Sequence, residues 1–482
     1  MANIRETILN IIIEYDRGGA RKPSLLKDSL EKYDYLETRD KAFIKRVVDG
    51  CIERQIQIDY VLNSFSKTKV DKMQPLIRSL LRMSVYQIMF MDSVPDSAAC
   101  NEAVKLAQKH KFAGLKGFVN GVLRNISRNK DKIEYPSRDK DGGIAYLSVL
   151  YSMPKWLCEM WVSTYGFDKT EEILKFFLEA RPTTVRIKAG CDREMLKNEL
   201  ENAGVIVTES DILPYALSLE KTDNIRFLPG FAEGEFFVQD VSSMLVTEIA
   251  DPGPGQVVID VCAAPGGKSL HAAERVSVDK SLHAAERVSG DKSATDESGN
   301  ETGTVISRDV SERKCDLIRE NAERMGVSNL KAELHDARIH DPNLEEKADV
   351  LYLDLPCSGL GIIGRKNDIK YNVTEKSLAE LSALQWDIIK ASWDYVKPEG
   401  ILMYSTCTVN RDENEAMVSR ICMELPFERV NFAGNLPDKL KNEVLLKTAE
   451  NGYIQLLPGE FGTDGFFISK LKRKVSNLRS EE

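Results

Sequence analysis

No apolar stretch in the 482-residue chain approaches the roughly 18 residues that a membrane span needs, which excludes a helical membrane protein. Its nine cysteines stand far apart, at 51, 100, 158, 191, 262, 315, 357, 407 and 422, and no two form CxxC. A disulfide scaffold, a zinc ribbon and a redox dithiol therefore have no support. The first residues lack a basic run and a small-residue cleavage site, so no secretory leader is expected. An odd cysteine count without one suggests reduced thiols in a cytosol. The spacing G-x-x-x-x-G-K-[ST] is missing, so there is no Walker phosphate loop. A collagen-like chain is excluded by composition.

What remains is an ordinary soluble mixture, 42% hydrophobic and 29% charged, long enough for about three domains. The net charge of −9 conceals an asymmetry. Residues 1–130 hold 23 Lys and Arg against 15 Asp and Glu, net +8, which leaves −17 for the rest. A basic first third on an acidic protein fits a nucleic-acid footprint; a solvated helical surface is the plainer alternative.

The first third reads as helices. Ile4, Ile8, Ile11, Ile12 and Tyr15 share one face at 3.6 periodicity, as do Ile44, Val47, Val48, Cys51 and Ile52. Pro75 suits a helix start, and further helical patterns cover about 97–109 and 116–127. An all-α domain over 1–135 is expected, ending in the polar, Pro- and Gly-punctuated stretch 131–143. Residues 144–235 read as a small α+β module, with strands at Thr184–Ile187 and Val205–Val207 and with Trp156 and Trp161 in its core. From 236 to 482 strands and helices alternate, which predicts an α/β, Rossmann-like domain on a parallel, doubly wound sheet. Ligands of such sheets bind beyond the carboxyl ends of the strands.

One feature interrupts this domain. KSLHAAERVSVD (268–279) is followed directly by KSLHAAERVSGD (280–291), identical at eleven of twelve positions. On one continuous helix the copy would be rotated by roughly 120°, so both copies cannot present the same face to the sheet. The second copy and the polar stretch after it, 280–303, are expected to form a mobile insert. The site survives if the first copy keeps the helix. His271 and His283 are copies within the repeat and are not expected to be catalytic.

Four strand ends carry candidate chemistry. Asp260-Val-Cys262-Ala263-Ala264-Pro265-Gly266-Gly267-Lys268 forms a Gly-rich turn between a strand and a helix, where a ligand can approach the backbone. Asp309 follows the second strand, placed for a ribose diol, and Asp336 follows the third, near where an adenine would sit. Asp354-Leu-Pro-Cys357-Ser-Gly ends the fourth strand, and Tyr404-Ser-Thr-Cys407-Thr ends the fifth. Two cysteines at adjacent strand tips beside a nucleoside-bearing cofactor point to nucleophilic chemistry. No histidine or second cysteine pair completes a zinc site, so no metal is expected. A thiolate beside a methyl donor suits C5 of cytosine, because attack at C6 makes C5 nucleophilic. The reaction also needs an acid near N3 and a base for the C5 proton. Position alone leaves open which cysteine attacks.

These motifs, with QDVSS (239–243), RDENE (411–415) and DGFFISKL (464–471), resemble the RNA cytosine-C5 methyltransferases. LLRMSVYQIMFMD (80–92) and residues 101–128 resemble a NusB-like RNA-binding domain. The pairing is similar to the RsmB (Sun) branch, which methylates 16S ribosomal RNA, and the resemblance covers nearly the whole chain. It implies S-adenosylmethionine as donor, cytosine 967 of 16S rRNA as target, a monomer in the cytoplasm, and no membrane partner. It also implies Cys407 as nucleophile, Cys357 in product release as the base, and Asp354 at N3. Residues Cys262 to Lys268 would line the methionine and ribose together with Asp354, with Asp309 on the ribose hydroxyls and Asp336 by the adenine. The chain departs from the family's Arg-x-Pro-Asp at Arg365-Lys-Asn367-Asp368, which puts loop rigidity in question. His110, Lys105, Lys109, Lys111 and Lys116 are candidate phosphate contacts, and His335 a candidate cofactor neighbour. Two rival functions stand beside this one: the same chemistry on transfer RNA or another rRNA site, and a non-catalytic RNA-binding assembly factor.

Overall fold

The computed structural model describes residues 3–18, 36–222, 224–277 and 302–475. These fold as two compact units: residues 1–179 with 363–372, and residues 180–362 with 373–482.

The first unit is helical. It comprises α1 (Ile4–Asp16), α2 (Thr38–Glu53), α3 (Gln55–Phe65), α4 (Pro75–Phe90), α5 (Asp96–Lys109), α6 (Lys116–Asn129), α7 (Gly143–Leu150), α8 (Lys155–Tyr165) and α9 (Phe167–Phe176). Pro75 opens α4 at its first helical position, where its missing N–H costs nothing. Helix α4 is buried from Ile77 to Ile88 apart from Arg78, and α1, α2, α3 and α5 gather around it. Its one buried cation, Arg82, is satisfied by Asp59 at 2.8 and 2.6 Å and by Asp16 at 3.0 Å. Gly50 of α2 is required by this crossing, since a Cβ there would lie 1.9 Å from the Tyr86 ring. Trp161 is core, packed on Phe177 with centroids 6.0 Å apart.

Residues 363–372 leave the second unit and lodge in this one. Lys370 is only 2% exposed and donates to the carbonyls of Glu53 and Ser152, both at 2.7 Å. Asn367 donates to the Asp49 carbonyl at 3.0 Å. The loop that lacks the family's proline is thus held by a side-chain bond to α2.

The second unit contains two sheets. The smaller is antiparallel, order β2-β3-β1-β4, from β1 (Thr183–Ile187), β2 (Ile206–Glu209), β3 (Ala216–Glu220) and β4 (Phe236–Val238), with α10 (Arg193–Asn202) between β1 and β2. Helix α11 (Val241–Ala250) then leads to the larger sheet. Its elements are β5 (Val257–Asp260), α12 (Gly267–Val276), β6 (Thr304–Asp309), α13 (Glu312–Arg324), β7 (Leu330–Leu334) and β8 (Ala348–Asp354). After the short α14 (Ile369–Asn372), which belongs to the first unit, come α15 (Glu375–Ser392), β9 (Val396–Thr406), α16 (Glu415–Glu424), β10 (Phe427–Arg429), α17 (Glu443–Glu450), β11 (Tyr453–Leu456) and β12 (Phe466–Arg473).

The order is β10-β12-β9-β8-β5-β6-β7, with β11 also on β12. Strands β5 to β9 pair in parallel, as the alternation predicts. The expectation of a wholly parallel sheet is corrected, because β12 runs antiparallel to β9 and carries β10 and β11 on its other edge. Only β11 and β12 are joined by a short connection, 457–465; β12 reaches β9 after some sixty residues that hold α16, β10, α17 and β11. The central parallel strands are largely apolar because both faces are covered, β8 being buried from Val350 to Leu353, whereas the edge strand β7 carries Lys331 and Glu333 and stays partly exposed. The chain runs outward from β5 to β6 and β7, then returns to β8 on the other side. The switch point, where a ligand crevice opens, lies beyond Asp260 and Asp354.

The first copy of the repeat builds α12. At its end the Val276 carbonyl accepts from Gly303 N–H at 2.9 Å, so the chain leaves and returns at one point. That point is at the amino edge of the sheet, where Thr304 N–H meets Gln256 O at 3.1 Å, opposite the carboxyl ends. The expected insert, 280–303, lies outside the described residues up to 301, His283 with it.

Candidate functional site

A cavity of about 210 Å³ opens at the switch point. Cys262, Ala263, Ala264, Pro265, Gly267, Lys268 and Asp354 line it, together with Asp260 and with Phe237, Val238, Gln239, Asp240 and Ser243. The last group shows what QDVSS contributes: β4 and the start of α11 form the facing wall. Gly266, Asp309 and Asp336 fall outside this lining.

The turn between β5 and α12 follows from its residues. Gly266 has φ +104°, and its N–H closes on Ala263 O at 2.7 Å. No side chain caps α12, so its first N–H groups are available to a ligand. Asp260, 1% exposed, accepts from Ser269 Oγ at 2.7 Å and Cys262 N at 3.4 Å, tying the strand end to the helix start. Burial pushes its carboxyl up to about 7, with the Asp354 charge adding to the effect. Burial raises the Cys262 thiol well above its ordinary range.

Asp309 braces the same turn. Its carboxylate accepts from Ala264 N at 3.1 Å, Val310 N at 2.7 Å and Lys314 Nζ at 2.8 Å. Asp336 is clasped by Arg338 at 2.6 Å, and that bond holds its carboxyl down at about 2. His335 turns its Nε2 to the Ile339 carbonyl at 2.7 Å. His271 is buried on the edge of Tyr215, and burial holds it neutral, well below its ordinary range. In the helical unit, Lys105 pairs with Glu102, while Lys109 and His110 both meet Glu6.

Asp354 ends β8 between two partners: Lys268 Nζ at 2.7 Å and Ser405 Oγ at 2.8 Å. The two cysteines converge three residues after Asp354 and two after Ser405. Cys357 Sγ and Cys407 Sγ are 3.2 Å apart. The contact with Cys407 is the largest cause raising the Cys357 thiol well above its usual range, followed by burial. Behind them, Gly361 N–H donates to the Cys407 carbonyl at 3.0 Å, and a Cβ at Gly361 would lie 2.1 Å from Gly465 O. Sequence reasoning missed the polar groups under this pair: Ser405, Ser358, Thr408, Gln385 and Glu413. RDENE, which contains Glu413, was the available signal.

A pair of sulfurs in contact, a carboxylate beside them and a cavity lined by backbone amides can form and break a covalent bond to a substrate next to a bound ligand. The lining holds the carboxyl groups Asp240, Asp260 and Asp354 against one cation, Lys268, a donor set suited to a cationic small molecule.

Comparison with known proteins gives consistent matches. Residues 290–472 match the family described as 16S rRNA methyltransferase RsmB/F. Residues 2–128 match the NusB family, and 153–226 the ferredoxin-like domain of RsmF/B-like methyltransferases. A Bacillus subtilis protein described as probable ribosomal RNA small subunit methyltransferase B is 35% identical, over 98% of this chain and 99% of its own. The Vibrio cholerae ribosomal RNA small subunit methyltransferase B is 29% identical over 91% of each chain. Among solved structures, PH0851 shares the fold with a TM-score of 0.75 at 24% identity, over 98% of this chain and 99% of that one. NSun6 from Pyrococcus horikoshii, solved with SFG, does so with a TM-score of 0.54 at 21% identity, over 67% and 99%.

Proposed function

Because the chain belongs to the RsmB/F family of 16S rRNA methyltransferases, with a NusB-like helical domain, a ferredoxin-like module and a methyltransferase domain, we propose that it methylates C5 of a cytosine in 16S rRNA, at position 967, through a covalent cysteine adduct. The observation that carries this reading is the 3.2 Å contact between Cys357 and Cys407, three residues after Asp354 and two after its partner Ser405; Asp354 itself lines the cavity, and the two sulfurs lie outside that lining.

S-adenosylmethionine, when bound, supplies an electrophilic methyl group. The residues fit it: the Gly-rich turn and the free start of α12 suit its polar groups, and the acid-rich lining suits its positive charge. Cys262 to Lys268 and Asp354 hold the methionine and ribose portions. Asp309 orders the turn and takes the ribose hydroxyls, and Asp336 stands by the adenine.

Cys407 attacks C6 as the thiolate, forming an Sγ–C6 bond. The electron pair moves toward N3, which takes a proton passed through Asp354 from its partner Lys268. Once Cys407 is bonded to C6 and no longer raises its neighbour, Cys357 loses its proton to water, and after C5 has gained its methyl group the Cys357 thiolate takes the C5 proton. That electron pair restores C5=C6, the Sγ–C6 bond breaks, and N3 returns its proton to Asp354. Cys357 ends as the thiol it was at the start, now holding the former C5 proton, and one proton per turnover has passed to water. The basic helical domain holds the RNA through its phosphates, largely without reading bases. The cytosine must leave its stack to reach the sulfurs, most cheaply from a loop.

The test uses an rRNA fragment carrying 5-fluorocytosine at the target, with S-adenosylmethionine. Fluorine cannot leave as a proton does, so the adduct stalls. A denaturation-resistant complex that is lost in Cys407→Ala and kept in Cys357→Ala is expected. Loss only in Cys357→Ala would reverse the two roles. No complex in the parent protein, with no cofactor binding by calorimetry, would favour the assembly-factor function.

A further inference from the structure

The group under the two cysteines has no part in the chemistry just described. Glu413 is 0% exposed, and its carboxylate is met by four donors. Ser358 gives both its N–H, at 2.9 Å, and its hydroxyl, at 2.5 Å. Asn410 adds a bond at 3.1 Å and Gln385 one at 3.0 Å. Each cysteine is followed in sequence by a hydroxyl residue, and these two hydroxyls also meet: Ser358 Oγ and Thr408 Oγ1 are 2.7 Å apart. Thr408 therefore donates to Ser358, whose own proton goes to Glu413. One buried anion holds the residues next to both sulfurs.

We propose that Glu413 is a positioning residue, whose carboxylate sets Cys357 at the distance from Cys407 that product release requires. The inference rests on the reading that Cys407 attacks and Cys357 releases.

The two cysteines depend on Glu413 unequally. Cys407 directly follows β9, whose ladder to β12 holds Thr406 against Phe467. It keeps its place without Glu413. Cys357 lies in a loop with no ladder of its own. Backbone bonds pin its two ends, Leu355 N–H to Ser405 O at 3.3 Å and Gly361 N–H to Cys407 O at 3.0 Å, and between them it is held by the two Ser358 bonds to Glu413 and by Gln385, which donates to the Pro356 carbonyl at 2.9 Å while also donating to Glu413. A carboxylate accepts from all four donors at once, whereas an amide presents an NH₂ group to two of them. Ser358 N–H cannot reverse its role, so the amide must turn its NH₂ toward the Ser358 hydroxyl and Asn410. Ser358 then accepts from the amide and donates to Thr408, so the hydroxyl chain reverses, Asn410 is left facing the NH₂ group without its acceptor, and the Cys357 loop loosens while Cys407 stays.

Glu413→Gln keeps side-chain volume and should fold. Thermal unfolding and calorimetric affinity for S-adenosylmethionine check this, the second expected within about twofold of the parent. The decisive readout uses ordinary, unfluorinated cytosine RNA. The parent releases its product and accumulates no adduct. Glu413→Gln should accumulate a denaturation-resistant protein–RNA complex, as Cys357→Ala should, and lose at least about tenfold in turnover. Cys407→Ala added to Glu413→Gln should abolish the complex, and Glu413→Asp should recover part of the turnover. Parent-like turnover in Glu413→Gln, or lost turnover without adduct, overturns the positioning role. If the variant does not fold, Ser358→Ala must give the adduct instead, and its failure to do so also overturns it. Absence of a Cys407-dependent fluorocytosine complex in the parent overturns the cysteine assignment, and with it this inference.

Discussion

Replacing Asp260 by Asn removes a carboxyl that the fold holds against its ordinary ionisation. Burial raises it from 3.8 to about 7, overcoming the bond from Ser269 and the nearby charge of Lys268. Between these values the folded protein keeps a proton that the unfolded chain gives up. The contribution to stability is therefore fully present below about pH 4 and is lost as pH rises toward 7. The whole window amounts to about 4 kcal/mol, of which about 2 kcal/mol falls between pH 5 and pH 7. Asn fits the same place: its oxygen can accept from Cys262 N–H and its nitrogen donate to Ser269 Oγ. It has no proton to lose. Calorimetric unfolding of parent and variant, compared at each pH, cancels every other titrating group. The advantage of the parent over Asp260→Asn should shrink by about 2 kcal/mol from pH 5 to pH 7, about 3 °C in transition temperature for a unit of this size, and level off above pH 8. A difference that stays constant across this range would refute the claim that Asp260 is held protonated beside the cavity.

Three further outcomes are expected. Gly361→Ala drives a methyl group against the Gly465 carbonyl and toward that of Cys407, two backbone atoms without freedom to retreat; it should cost about 3 kcal/mol or more, read by denaturant unfolding, and abolish adduct formation. Deleting residues 280–291 shortens the connection between Val276 and Gly303, which already meet; cofactor affinity should be unchanged, with a gain of no more than about 0.6 kcal/mol, and loss of binding would mean that the second copy supports the site. Lys370→Met strips the carbonyls of Glu53 and Ser152 of a buried donor; the helical unit should lose about 2–4 kcal/mol in thermal unfolding.

Much of this was legible in the residues. The helices of the first third announced themselves because their apolar positions repeat every 3.6 residues around a core that α4 fills. Strands β5 to β9 were readable as short apolar runs ending in turn residues. Strands β10 to β12 were not, because FFISKL alternates only partly, and its pairing with β9 joins residues some sixty positions apart. Strand β4, three residues long, gave no periodicity to detect. In the site, the two cysteines and Asp354 were visible because each stands at a strand end. The bonds that organise them were not. Glu413 meets Ser358 across 55 positions and Gln385 across 28, and no local pattern marks such a meeting. Asn367 showed only as a departure from Pro, and its bond to Asp49 needs the fold to be seen.

The ten residues 363–372 give the chain a property that domain order alone hides. It crosses between its two units three times, after 179, after 362 and after 372. No single cut separates them cleanly. A fragment ending at 179 would leave the carbonyls of Asp49, Glu53 and Ser152 without Asn367 and Lys370. A fragment starting at 180 would carry those two side chains, with nowhere to bury them, a few residues from Cys357. The helical unit is thus not a detachable RNA handle. Dissecting the protein into halves to assign RNA binding to one and methyl transfer to the other would damage both, and the two activities are better separated by point substitutions in the intact chain.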